Sequence, residues 1–183
     1  MAQNSSKFIA NSLLALTSTM GLRSTSRALK YARAAFKLYF LTSTVGALAS
    51  VIDSATLQEL DEIAWVWCYC LGIPLITMDL CALAPYVPDI SPFHLAIPMY
   101  TVLAYHIYPS NVDALLLSIS HSISILFMAV CTAWDGQLCG FIVSFIHFFT
   151  LFRTDCGEKA RMNWSLLSGM SNFFVIKLIN SYY

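Results

Sequence analysis

The chain has 183 residues, 58% of them hydrophobic and only 11% charged. A soluble domain is nearer half apolar and a quarter charged, and one of this length could not bury so much apolar surface, so a water-soluble globular fold is excluded. The formal net charge of zero conceals an asymmetry, because Lys7, Arg23, Arg27, Lys30, Arg33 and Lys37 all precede Asp53, the first acidic residue.

Residues 1–34 read as an amphipathic, Ser- and Thr-rich, acid-free segment. Ile9, Leu13, Leu16 and Met20 recur at helical spacing, and Arg23, Arg27, Lys30, Arg33 and Lys37 form the basic residues of an interaction surface. Three roles fit. The first is an interfacial helix whose cations are drawn to anionic lipid headgroups, at about 1 kcal/mol each near the surface. The others are a mitochondrial presequence and a site for RNA or another polyanion. A secretory signal peptide fits least, since Asn11, Ser12 and Thr17 break the apolar run.

Residues 35–183 read as the membrane domain. Ala35–Ile52 is the first expected span, with Ser43, Gly46, Ala47 and Ser50 forming a small-residue face suited to close helix packing. The acidic stretch at 53–62 is expected as a water-exposed linker. Ile63–Pro85 is the second span, entered through Trp65, Trp67 and Tyr69, rings that favour a membrane interface. Pro74 should loosen this helix. Asp79 is a carboxylate inside an apolar run and requires either a partner or a proton.

Pro85, Pro88 and Pro92 mark a turn. Phe93–Tyr108 follows as a weak span, reaching only about 24 Å against a hydrocarbon core of roughly 30 Å. Its His94 and His106 read as interfacial. In Asp113–Trp134, Leu116, Ile119, Ile123, Leu126 and Phe127 occupy one arc, while Ser118, Ser120, His121, Ser122 and Ser124 occupy the remainder. A polar group in hydrocarbon costs several kcal/mol unless the protein satisfies it, so this polar face should turn into a bundle. Leu138–Phe152 repeats the pattern with Gly140, Ser144 and His147, and Trp164–Ile179 with Ser165, Gly169 and Asn172. The sequon at Asn163 lies close to a membrane boundary and carries little weight.

The expected fold is therefore all-α: a polytopic transmembrane helix bundle of five or six spans with a basic amphipathic N-terminal segment. Cys68, Cys70, Cys81, Cys131, Cys139 and Cys156 lie in or beside apolar segments and read as small hydrophobes. The Cys68-x-Cys70 spacing directs its thiols to different sides of a helix, so neither a metal site nor a redox pair is read there, and no cofactor is implied.

Two functional readings follow. In the favoured one, the polar seam only ties helices together, and the chain has a structural or assembly role among lipid, other membrane subunits or copies of itself. In the alternative, Asp79, His121 and His147 converge in an intramembrane hydrolase or a proton-linked carrier or channel, since imidazole titrates near neutrality and a buried carboxylate can be tuned towards it. No metalloprotease, nucleophile-elbow, P-loop or dinucleotide motif is present to support the second.

The layout, a basic Ser-rich head from Ser5 to Lys37 followed by apolar spans and short loops, resembles the small virion membrane proteins of certain plant and insect RNA viruses. It also looks like many organellar membrane subunits. The viral resemblance implies a structural envelope role with the head touching nucleocapsid or membrane. It rests on layout alone, and no functional residue is carried over from it.

Overall fold

The structure is a computed structural model that describes residues 2–83, 93–108, 114–151 and 158–182. Among these residues there are seven α-helices and no strand. They are α1 (Ala2–Ser24), α2 (Lys30–Val51), α3 (Ala55–Leu83), α4 (Ala96–Ile107, preceded by a 3-10 turn at Phe93–Leu95), α5 (Ala114–Trp134), α6 (Leu138–Leu151) and α7 (Glu158–Asn180).

Helices rich in Ser and Thr can be buried here because their hydroxyls bond back to the preceding turn. Thr17 and Ser18 donate to the carbonyls of Leu13 and Leu14, Thr77 to Ile73, Ser124 to Ser120, Thr132 to Met128 and Ser144 to Gly140. Each hydroxyl is thereby satisfied inside its own helix, as a membrane interior requires.

Neighbouring helices pack in the order α1, α2, α3, α5, α6, α7 and back to α1, with α4 set against α3 and α5. Side-chain pairings fix the directions. Asp79 near the end of α3 meets Ala32 at the start of α2, and Trp67 and Pro74 on α3 meet His106 and His94, at the end and the start of the α4 segment. Gln137, just before α6, meets Ser181, just after α7. Successive helices therefore run antiparallel. The ring is filled by Tyr39, Trp65, Tyr69 and Trp164, whose aromatic groups pair at centroid separations of 5.0–6.4 Å.

Three helices, α2, α3 and the stretch of α5 from Leu115 to Trp134, are long and apolar enough to cross a membrane, and α4 and α6 are shorter apolar helices. At 1.5 Å per residue, α4 with 12 residues and α6 with 14 extend roughly 18 and 21 Å, less than a hydrocarbon core. These lengths support a membrane-type helical protein without establishing five or six crossings.

Three local expectations are corrected. The stretch at 53–62 is largely exposed, as expected, but it is not a linker: α3 begins at Ala55, and within the stretch Asp61 alone is buried, at 5% exposure. Trp65 and Tyr69 are buried in the ring centre rather than set at an interface, and only Trp67 of that cluster is exposed. His94 is also buried, at 6% exposure, whereas His106 is exposed. The surrounding helices decide: α3 is enclosed by α2, α4 and α5, so its polar and aromatic residues meet protein, and His94 is held between Pro74 O of α3 and the Phe127 ring of α5. The Pro-rich turn at 85–92 lies outside the described residues.

The connection between α5 and α6 is closed by Gly136 at φ +69°. Its amide donates to Ala133 O at 3.1 Å and that of Gln137 to Thr132 O at 2.8 Å, a Schellman arrangement that satisfies the last carbonyls of α5.

Candidate functional site

Ser120, His121, Ser124, Ser144 and His147 are all buried, so the polar faces of α5 and α6 turn inward, while Leu115, Leu126, Phe141 and Phe145 face outward. His121 stacks on Tyr69 with ring centroids 4.1 Å apart, and its ring lies edge-on to His147 at 5.5 Å.

Hydrogen-bond partners set the tautomers. His121 Nδ1 lies 3.0 Å from the carbonyl of Tyr69, which can only accept, so Nδ1 carries the hydrogen. In the neutral ring, Nε2 is then an acceptor facing the Thr150 hydroxyl at 3.2 Å. That hydroxyl also donates to His147 O at 2.6 Å, so its single hydrogen is shared. Ser171 donates to Ser168 O at 2.9 Å, so its oxygen accepts from His147 Nε2–H at 3.0 Å. His147 Nδ1 is left as a buried lone pair with no hydrogen-bond partner. Two neutral imidazoles thus join α3, α5, α6 and α7 within one patch.

Asp79 does not belong to this patch. Ten positions beyond Tyr69 on α3, it lies roughly 15 Å further along the helix. There its Oδ2 accepts the Ala32 amide of α2 at 2.7 Å, with the Tyr31 amide beside it. Leu29, at the N-cap of α2, supplies no side-chain cap, so a carboxylate from another helix meets the orphan N–H groups and the positive end of the helix dipole. The convergence of Asp79, His121 and His147 that the alternative reading requires therefore reduces to a histidine pair and a separate helix cap. Among the described residues no group of three or more His, Cys, Asp and Glu side chains is arranged to hold a metal ion.

Of the basic residues of the N-terminal segment, Lys7 stands apart from the five expected to form a surface. Lys7 is buried near the start of α1, where its Nζ lies 3.0 Å from Asp61 Oδ2. Arg23 lies about 24 Å away along the same helix. Arg33 donates through Nη1 to Leu22 O and Thr25 O at 2.7 and 2.9 Å, covering the C-terminal carbonyls of α1. Arg23, Arg27, Lys30 and Lys37 remain exposed at that end.

The small polar face of the last apolar run is used as a tie, and two further participants had no mark in the sequence. Asn172 on α7 donates to Thr17 and Ser18 on α1 at 3.2 and 3.3 Å. A cleft of about 400 Å³ between α6 and α7 is lined by Phe149, Thr150, Asn163 and Trp164 among others, and so reaches the hydroxyl that touches His121. Thr150 and Trp164 belong to unremarkable apolar runs, and the spacing that singled out His147 and Ser144 gives them no prominence.

No protein-family model, no curated protein and no solved structure matches this chain. The class is carried by its own physics: an all-helical protein of membrane type, with three helices able to span a bilayer.

Proposed function

We propose that the chain is a multi-pass integral membrane protein with a structural or assembly role, and that its buried polar groups serve as ties between its own helices. The observation that carries this reading is that the seam residues find separate partners within the chain. His121 bonds Tyr69 O, His147 bonds Ser171, Asp79 caps α2, Asn172 joins α1 to α7, and Lys7 pairs with Asp61. Side chains held in this way act as the interhelical bonds that stabilise membrane bundles.

The antiparallel course of α4 between α3 and α5 supports six crossings, with α1 packed alongside. The exposed cations Arg23, Arg27, Lys30 and Lys37 then lie at one end, suited to anionic headgroups on the cytosolic or matrix-like face. At the opposite end Tyr105 lies near Glu59, Glu62 and Arg161 together, so the charge of Arg161 is offset by acids there, beside the exposed Lys159. The outward-facing Phe141, Phe145 and Phe149 suit acyl chains or a neighbouring membrane subunit.

The second reading, an intramembrane hydrolase or proton-linked carrier, draws on the cleft beside Thr150 and His121. One experiment separates the two. The full chain and its His121→Ala variant are reconstituted in liposomes, then assayed for thermal stability in detergent and for proton flux with an entrapped pH dye. A structural tie predicts a loss of about 2–3 kcal/mol from the removed hydrogen bonds, stacking and packing, with no proton flux in either protein. Wild-type stability together with loss of a measured flux would overturn the structural reading.

A further inference from the structure

Cys81 lies two residues before the end of α3 and Cys131 one turn before the end of α5, and their Sγ atoms are 3.0 Å apart. Both side chains are shielded, at 0% and 5% exposure, and both cysteines are free. We propose that these two thiols form an oxidation site that closes to an intramolecular disulfide, tying α3 to α5 at the end of the bundle that carries Asp135 and Tyr182.

A disulfide has S–S of about 2.05 Å, so bond formation requires the sulfurs to approach by about 1 Å. Side-chain rotation with slight settling of two packed helices supplies a movement of that size. The pair also lies near an end of the bundle. Cys131 is close enough to Asp135 to feel its charge, and Asp135 lies in the turn after α5 beside the exposed Gly136. A small oxidant arriving from the aqueous end has about one helical turn of packed side chains to pass before it meets the pair.

The chemistry balances with hydrogen peroxide as the oxidant. One thiolate attacks a peroxide oxygen, the O–O bond breaks, and a sulfenic acid forms as hydroxide leaves and takes up a proton. The second thiolate then attacks the sulfenic sulfur, the S–O bond breaks, and the hydroxyl leaves as a second water. Two thiols and one peroxide give one disulfide and two waters. A dithiol reductant reverses the result by exchange through a mixed disulfide.

The cross-link encloses the segment that contains α4. Among the described residues that helix packs chiefly along the groove between α3 and α5, outside the ring that the other six helices close. A bond fixing the spacing of α3 and α5 fixes the groove that holds α4.

The test uses the full chain in detergent micelles, treated with hydrogen peroxide or with a dithiol and then digested for mass spectrometry. The expected result is a mass loss of two hydrogens and a linked peptide pair containing Cys81 and Cys131, reversed by the dithiol. Cys81→Ser and Cys131→Ser each abolish the linked pair, whereas Cys68→Ser and Cys139→Ser retain it. Amide exchange in α4 slows at least threefold on oxidation of the wild type and is unchanged in the Cys81→Ser/Cys131→Ser double variant. Addition of oxygen to single cysteines without a cross-link overturns the proposal, as does a bond from Cys131 to Cys139. The wild-type peptide map alone decides if a variant fails to fold.

Discussion

The ammonium of Lys7 and the carboxylate of Asp61 lie 3.0 Å apart with side-chain exposures of 3% and 6%, joining the start of α1 to the first turns of α3. Asn11 and Gly46 complete the surroundings: a methyl group added at Gly46 would come within 2.6 Å of the Asn11 amide nitrogen and 2.8 Å of Asp61 Oδ1. Two charges removed from water attract strongly but have each lost several kcal/mol of hydration, so the net value of the pair is small while the cost of breaking it is large. Lys7→Met and Asp61→Leu should each destabilise the protein by about 3–5 kcal/mol, because each strands the opposite charge. The double variant should recover most of that loss. Denaturation of all four proteins in the same detergent measures the coupling, and additive losses would show that the two groups do not interact.

This pair also shows where sequence reading stopped. The apolar runs of α2, α3 and α5 are legible because hydrocarbon selects long stretches without charge, and their small and polar residues at helical spacing correctly indicate which faces turn inward. Asp61 and its neighbours read as a linker because Asp53, Gln58, Glu59, Asp61 and Glu62 crowd one short stretch and resemble solvated chain. The burial of Asp61 depends on a lysine from α1, which no periodicity within α3 displays. Trp65 and Tyr69 met the same difficulty: an aromatic girdle and an aromatic core have one composition, and only the helices around α3 distinguish them. Asp79 was recognised as needing a partner, but that partner is the backbone amide of Ala32, and a backbone group has no sequence signature.

Gly72 and Gly136 predict opposite mechanisms of damage. At Gly72, on α3, a Cβ would enter the ring of Tyr39 on α2, itself 1% exposed. Gly72→Ala should therefore cost about 1–3 kcal/mol through overpacking, and the accompanying change Tyr39→Leu should recover part of it. At Gly136 the space is open, with no atom within 4 Å of a built Cβ, but φ is +69°. Gly136→Ala should cost about 1 kcal/mol through backbone strain alone, and Gly136→Asn less, since Asn tolerates that region. Thermal denaturation of the four variants checks both, and recovery of Gly136→Ala by any change at a neighbouring side chain would contradict the backbone explanation.

Tyr182 and Asp135 give a pH dependence at the end of the bundle. The phenol donates to Asp135 Oδ2 at 2.6 Å, holding the chain after α7 against the turn after α5. Burial raises the Tyr182 pKa first, and the hydrogen bond and charge of Asp135 raise it further. A group whose folded pKa lies above its unfolded value stabilises the fold fully below the unfolded value, about 10 for tyrosine, and loses that contribution as pH rises towards the folded one. The attachment of the C-terminal turn should thus be insensitive to pH from neutrality to about 10 and weaken progressively above it. Tyr182→Phe should remove the hydrogen bond at all pH values, lower stability by about 1 kcal/mol near neutrality and abolish this part of the alkaline dependence. Asp135→Asn should keep an acceptor while removing the charge, bringing the phenol's ionisation closer to the ordinary range. Ultraviolet titration of the phenol in the wild type against Tyr182→Phe measures the shift directly. If the difference spectrum places Tyr182 among the freely titrating tyrosines, the contact with Asp135 does not hold the C-terminal turn.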